Sequence, residues 1–276
     1  MTAGLLMVAG GLAAGAFGSL LGLGGGLLIV PLLTLGFDLG LREAVGVSLV
    51  CVIVTSSASA GVYLERRLAN LRLGMTLELF TAAGAVVGGL IAFALDERAL
   101  AGLFAVLLVY TAVTMIRKQS EADLQPAEPG EEAASAPRGN GGGSWTDALH
   151  DPRYRVRNLG TGSAASVGAG VISALLGVGG GIVKVPVMHL MMGVPLRVAT
   201  ATSNLMIGVT ASAGALIYLL RGEIDPYVAG PTAVGVFAGA TLGSHTAHRV
   251  DVRLLRVLFI AVLLYTAFQM LRRTFA

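Results

Sequence analysis

Long apolar runs constrain this chain more than any other feature of its sequence. A helix needs about 20 apolar residues to cross a bilayer. Runs of about that length or longer cover residues 3–36, 44–64, 74–95, 100–116, 156–192, 199–220, 228–248 and 254–270. Only 13% of the 276 residues are charged, against about 25% in soluble domains. We therefore predict an all-α polytopic membrane protein.

A polar segment divides these runs into two groups of four. Residues 119–157 are rich in Glu, Pro, Gly and Ser, a composition that cannot form a packed core. We predict a first transmembrane repeat at 1–118, a flexible linker at 119–157 and a second transmembrane repeat at 158–276.

The second group repeats the first at a constant offset of 155 residues, without a gap. Glycine, proline, arginine and serine positions all recur at this offset. The pairs include Gly22 and Gly177, Gly24 and Gly179, Gly25 and Gly180, Gly26 and Gly181, Pro31 and Pro186, Arg42 and Arg197, and Ser48 and Ser203. Many membrane transporters are built from such repeats and bind substrate between them.

The first run of each half is broken by glycines, which leaves two topologies open. If each broken run crosses once, each half has four spans and the halves are parallel. If each broken run re-enters, each half crosses an odd number of times and the halves are inverted. Basic residues place the linker in the cytoplasm in both cases, by 11 against 6 or 12 against 5. We favour eight spans, because four long uninterrupted runs occur per half, and the orientation of the repeats remains open.

The glycine breaks are the first candidates for a binding site. Gly24, Gly25 and Gly26 precede Pro31, and Gly179, Gly180 and Gly181 precede Pro186. Glycine permits non-helical backbone, and proline removes a hydrogen-bond donor. A helix that starts inside the membrane offers amide groups and a positive dipole end to an anion. The alternative is close helix packing with a kink.

Several polar residues follow the breaks. Lys184, whose repeat mate is Ile29, would place a costly cation in the membrane, which usually has a function, unless it snorkels to the interface. His189 is either a proton carrier or a packing residue. Ser48, Ser203 and Asn204 either coordinate an oxyanion or hold helices together.

The other charged residues near the spans are interpreted as having structural roles at the membrane interface. Arg42 and Arg197 are interpreted as interfacial anchors, with guidance of anions as the alternative. Glu78 is interpreted as a snorkelling carboxylate, with proton relay as the alternative. The sequence contains no H-E-x-x-H, no Cys–His metal spacing and no G-x-S-x-G. We therefore expect no enzyme, no metal, no cofactor and no nucleic-acid partner.

The paired motifs resemble the TauE/SafE family of sulfite exporters and anion permeases. They read L-G-L-G-G-G-x-x-x-V-P at 21–31 and L-G-V-G-G-G-x-x-x-V-P at 176–186, followed by A-x-x-x-S at 44–48 and 199–203. The resemblance implies a bacterial inner-membrane transporter of sulfite, sulfoacetate or a related anion. It also implies that the glycine-proline motifs and the serine-bearing spans form the site.

The resulting prediction is export of a small sulfur-containing anion from the cytoplasm. A negative interior favours anion efflux by about 2.3 kcal/mol per charge per 100 mV, so no coupling ion is required. A proton-coupled importer with His189 or Glu78 as carrier, and an anion channel, are the alternatives. The expected partners are the anion and membrane lipid, and small-residue faces permit a homodimer.

Overall fold

The computed structural model describes residues 2–21, 26–65, 69–122, 156–246 and 252–275. Most of the predicted linker, together with Gly24 and Gly25, lies outside these residues. Every described element is helical. The first half contains α1 (Thr2–Leu21), α2 (Gly26–Pro31) with a π-helical turn (Leu32–Gly36), α3 (Leu41–Glu65), α4 (Leu71–Ala94) and α5 (Glu97–Ala122). The second half contains α6 (Leu159–Leu176), α7 (Gly181–Pro186) with a π-helical turn (Val187–Met191), α8 (Leu196–Leu220), α9 (Pro226–Thr246) and α10 (Val252–Phe275).

The predicted all-α membrane architecture is confirmed in outline. Among the described residues, five helices are long and apolar enough to cross a membrane, namely α3, α4, α5, α6 and α8. Many of their large apolar side chains are exposed on the outer surface, including Met75, Leu79 and Val106. Such a surface suits lipid rather than water.

Helix starts recur in the two halves at the offset that the sequence motifs share. Gly26 begins α2 and Gly181 begins α7, and Leu41 begins α3 where Leu196 begins α8. Leu71 and Pro226 likewise begin α4 and α9. In both halves the glycine-rich break separates a long helix from a short one.

The broken run of the second half doubles back on itself. The backbone amide of Arg157, just before α6, donates a hydrogen bond of 3.0 Å to the carbonyl of Met192, just after the π-helical turn. At the other end, Gly180 lies against Ala169 and Ser173 of α6. α6 and α7 are therefore the antiparallel arms of a hairpin whose two ends lie on the same side. This geometry favours the re-entrant alternative for this run over the single crossing of the eight-span arrangement, and the number of spans stays a prediction.

The broken run of the first half shows the same packing where it is described. Gly10 of α1 lies against the side chain of Leu32, which follows α2 in the π-helical turn. A methyl group on Gly10 would stand 2.8 Å from the Leu32 Cδ2 atom. The short arm therefore returns along α1, although the turn itself lies outside the described residues.

The third helix of each half runs through the centre, and these two helices are antiparallel. Gly46 lies against Tyr218, Leu49 against Gly214, and Ser56 against Gly208. Residue numbers rise on α3 as they fall on α8, which fixes the opposite directions. Many residues of α3, including Val45, Val47, Leu49 and Val52, belong to the buried apolar core.

Glycine contacts join the outer helices of one half to those of the other. A methyl group on Gly84 or Gly88 of α4 would collide with the carbonyl of Val167 or Val171 of α6. The same relation joins Gly239 of α9 to the carbonyl of Leu12 in α1. Small residues let membrane helices approach this closely. The two halves therefore interlock rather than pack as separate domains.

Candidate anion site

The turn between α6 and α7 is built from glycines with left-handed backbone. The φ angles are +69° at Gly177, +81° at Gly179 and +74° at Gly180. A residue with a Cβ atom is strained in this region, by roughly 1–2 kcal/mol. The glycines therefore allow the chain to reverse inside the protein, and α7 begins directly after them. The amides of Val183 and Lys184 donate to the carbonyl of Gly180 at 3.2 and 3.0 Å.

Two buried serine hydroxyls flank this turn. Ser173 lies on α6 and Ser203 on α8, with 0% and 1% of their surfaces exposed. Neither Oγ atom has a hydrogen-bond partner among the described residues. A Cβ atom on Gly180 would lie 3.6 Å from the Ser173 Oγ, and one on Gly181 would lie 3.5 Å from the Ser203 Oγ. An unpaired buried hydroxyl costs about 1–3 kcal/mol, so two of them at one turn suggest that a ligand supplies the missing partner.

Ser48 joins the two glycine breaks. Its hydroxyl lies 2.8 Å from the carbonyl oxygen of Gly177 and 3.2 Å from that of Gly26, and can donate to either. A Cβ atom on Gly26 would stand only 2.6 Å from the Gly177 carbonyl oxygen. The two hairpins therefore meet beside α3, and the structure assigns the Ser48 hydroxyl to holding them together.

Lys184 forms a buried ion pair with Glu78 of α4. The Lys184 Nζ atom lies 3.2 Å from Glu78 Oε2 and donates a 2.6 Å hydrogen bond to the hydroxyl of Thr210 on α8. That hydroxyl lies 2.6 Å from Glu78 Oε1 and donates to it. Lys184 is 2% exposed and Glu78 8%. The expectation that Lys184 has a function in the membrane interior stays a prediction. The interpretation of Glu78 as a snorkelling carboxylate is wrong, because its side chain is buried against Lys184.

The ammonium group of Lys184 lies near the glycine turn. Helical side chains lean toward the N-terminus of their helix, which for α7 is the turn. Ile207 of α8 touches both Gly179 and Gly181, and Thr210 lies one helical turn further, about 4.5 Å along the axis. Because Thr210 binds the ammonium group, the ion pair lies close to the turn, on the far side of Ile207 from Ser203, which is seven residues or about 10 Å along the axis from Thr210. The positive charge is, however, balanced by Glu78 in this arrangement.

The remaining candidates lie in structural positions. Pro31 and Pro186 have φ angles of −60° and −58°, and each directly precedes a π-helical turn. The side chain of His189 is exposed, and its Nδ1 atom lies 2.9 Å from the carbonyl of Val194, at the entrance of the hairpin rather than at its turn. The carbonyl of Asn204 accepts a 2.7 Å hydrogen bond from Ser56, which links α8 to α3.

Arg42 closes the end of a neighbouring helix. Its Nη2 and Nε atoms donate to the carbonyls of Leu95 and Ala92 at 2.7 and 3.3 Å. These carbonyls lie at the end of α4, where no intrahelical donor is available. Its guanidinium also lies 5.6 Å from the centre of the Phe93 ring. The side chain of its repeat mate, Arg197, lies outside the described residues.

Ser173 is the site residue that the sequence analysis missed. Its signal was a serine four residues before the first glycine of the turn. Its repeat mate is Gly18, so the internal comparison did not single it out. Within the described part of the chain, no cluster of three His, Cys, Asp or Glu residues could hold a metal ion.

Comparison with known proteins identifies the family of this chain. The family model described as sulfite exporter TauE/SafE matches residues 7–270. The chain belongs to the TauE/SafE family. The resemblance noted at the glycine-proline motifs is thereby confirmed, and the chain is a multi-pass protein of a membrane transporter family.

Relatives with curated descriptions cover almost the whole TauE/SafE region. The chain is 24% identical over 274 residues to the probable membrane transporter protein YunE of Bacillus subtilis, covering 97% of each chain. It is 25% identical to a probable membrane transporter protein of Methanocaldococcus jannaschii, covering 94% of this chain and 91% of the relative. It is 28% identical to MamO of Magnetospirillum gryphiswaldense, a probable membrane transporter protein, but covers only 44% of that longer chain. No solved structure matches.

Proposed function

We propose that this chain exports a small sulfur-containing anion, such as sulfite or sulfoacetate, and binds it at the α6–α7 turn. The observation that carries the proposal is the pair of unpaired buried hydroxyls of Ser173 and Ser203 at that turn. The anion class and the export direction follow the family description.

The chemistry around the turn suits an oxyanion. Serine hydroxyls donate hydrogen bonds without adding charge, the start of α7 presents backbone amides, and Lys184, bound to Thr210 one helical turn beyond Ile207, supplies an ammonium group near the turn. A sulfite or sulfonate group has several acceptor oxygens that can bind such donors together. Ser173 joins the site predicted from the sequence, which comprised Gly24, Gly25, Gly26, Pro31, Ser48, Gly179, Gly180, Gly181, Lys184, Pro186, His189, Ser203 and Asn204. Of these, His189 has the weakest structural support.

The two halves are proposed to form an inverted repeat. The antiparallel α3 and α8, the hairpin of α6 and α7, and the common helix spacing all support this arrangement. Basic residues favour a cytoplasmic linker by 12 against 5 under this topology. The second hairpin then enters from the cytoplasm of a bacterial inner membrane and the first from the opposite side. Inverted repeats with broken helices at the midplane suit alternating access to one central site.

A transport assay in proteoliposomes tests the proposal. Vesicles loaded with radiolabelled sulfite at about pH 7.5 should release it in a saturable manner only when they contain the protein. The double variant with Ser173→Ala and Ser203→Ala should lose at least about a hundredfold in kcat/KM, because two hydrogen bonds to a charged ligand contribute roughly 1.5–3 kcal/mol each.

The control variant removes a serine of similar helical context away from the turn. Ser212→Ala alters an exposed hydroxyl on α8 that bonds only to its own helix, at the carbonyl of Gly208. It should keep wild-type flux. Sulfite flux that never saturates would favour an anion channel. A panel containing sulfoacetate and other sulfonates identifies the preferred anion, and the absence of flux for every member would contradict the proposed function.

A further inference from the structure

We infer that Glu78 takes up a proton when the anion binds, so that anion and proton cross the membrane together. This inference rests on the proposed function and specifies its coupling ion. Because a monoanion and a proton together carry no net charge, export is then driven by the concentration gradients of the two ions and not by the membrane potential. It is carried by the buried cluster of Glu78, Lys184 and Thr210 beside the glycine turn.

The ion pair occurs at only one of the two positions that the repeat relates. At the shared offset, Lys184 corresponds to Ile29 and Glu78 to Ala233, whereas Thr210 corresponds to Thr55. The fold at these positions therefore does not require charge, because the repeat-related helices carry apolar residues there. A charged pair that the architecture does not need, placed at the candidate site, indicates a function in transport.

An anion at the turn would compete with Glu78 for the same ammonium group. The pair of Lys184 and Glu78 is neutral as a unit, and adding a monoanion alone would leave a net negative charge in a buried site. Adding a proton to Glu78 at the same time restores neutrality and frees Lys184 to bind the anion. Binding of the anion and binding of the proton therefore favour each other, and this coupling is reciprocal.

Thr210 can hydrogen-bond to Glu78 both when the carboxylate is ionised and when it is protonated. In the ion pair its hydroxyl donates to Glu78 Oε1 and accepts from Lys184 Nζ. When Glu78 gains a proton from the aqueous side, the carboxylic acid can donate to the same hydroxyl. On the opposite side the anion leaves Lys184 and the proton leaves Glu78 for water, which restores the ion pair. No bond other than that of the transferred proton changes.

Neighbouring elements offer few other titratable groups to take this role. α4 packs against α6 and α8. α6 carries no charged residue, and α8 carries only Arg197, near its start. His189 follows α7 but lies at the hairpin entrance, with its Nδ1 against Val194. Among the described residues, Glu78 is therefore the carboxylate placed to respond to an anion beside Lys184.

Proton uptake on binding tests the inference in purified protein. Sulfite is added to the protein in weakly buffered detergent solution, and a pH indicator reports the protons taken up per bound anion. Glu78→Gln should bind sulfite with about one proton fewer than wild type, whereas Glu97→Gln, at an exposed position in α5, should match wild type. The comparison cancels any proton that sulfite itself gains. Equal uptake by Glu78→Gln and wild type would overturn the inference.

Voltage dependence gives a second readout that uses wild-type protein alone. If one proton accompanies each monoanion, wild-type flux measured in mildly acidic buffer, where sulfite is mainly the monoanion bisulfite, should not change when valinomycin and potassium set the membrane potential. Lumenal pyranine should also report proton movement in the same direction as sulfite. Flux that follows voltage and moves no proton would overturn the inference while leaving the proposed function intact. Absence of any sulfite flux would overturn both.

Discussion

Breaking the Glu78–Lys184 pair should reveal how strongly it holds the three helices that meet there. Two unit charges 3.2 Å apart attract by about 5 kcal/mol at an effective dielectric constant of ~20. Removing one partner of a buried pair typically costs about 3–5 kcal/mol, because the other charge is left uncompensated. Glu78→Met and Lys184→Met should therefore each destabilise the protein by about that amount.

Replacing both residues should cost far less than either single change. Two methionines would place apolar side chains beside the buried cluster of Leu77, Met188 and Met206, with neither charge left unpaired. At about 2–4 °C per kcal/mol for a chain of this size, each single variant should lose on the order of 6–20 °C in thermal midpoint. The double variant should recover most of this loss.

Thermal unfolding in detergent, followed by size-exclusion chromatography with fluorescence detection, measures these midpoints. Glu97→Met, at an exposed position, is the matched control and should stay within a few degrees of wild type. A double variant whose loss equals the sum of the two single losses would refute the reasoning, because the residues would then contribute independently.

Two further predictions concern glycines, each with a glycine elsewhere as control. Gly180→Ala should lose most sulfite flux, because the left-handed backbone is strained with an alanine and the methyl group would crowd the Ala169 carbonyl oxygen at 3.2 Å and the Ser173 Cβ at 3.3 Å, beside the candidate hydroxyl. Gly222→Ala, with a φ of +76° and open space around it, should cost similar backbone strain, roughly 1–2 kcal/mol, and keep flux. Gly88→Ala should lower the thermal midpoint, because the added methyl group would push α4 away from α6. Gly168→Ala should not, because its methyl group would meet nothing within 4 Å. Equal thermal midpoints for the two variants would contradict the close packing of α4 against α6.

The sequence predicted the helices well but not the path of the broken runs. Apolar run lengths located the spans, and the glycine clusters located the interruptions. Whether a run such as 156–192 crosses once or returns depends on contacts between its ends, including that of Arg157 with Met192. A run of 37 residues is too long for one straight span and short for two, so length could not decide.

The candidate site was predicted only in part, because its main interactions join distant segments. Lys184 was singled out by its position in an apolar run, but its partner Glu78 lies 106 residues earlier and resembles an interfacial carboxylate when α4 is considered alone. The sequence left the hydroxyl of Ser48 either coordinating the anion or holding helices together, and its hydrogen bonds to Gly26 and Gly177 favour the second role. Ser173 has no serine at the matching position of the first half, and its place beside the turn results from the folding of α7 back along α6.

Locating a bound anion at the α6–α7 turn tests its role as the binding site most directly. Crystals grown with selenite, a heavier analogue of sulfite, would give an anomalous signal from selenium. We predict a peak within hydrogen-bond distance of the Ser173 and Ser203 hydroxyls, lost in the variant that lacks both. A selenite peak elsewhere in the protein, with this turn empty, would contradict it.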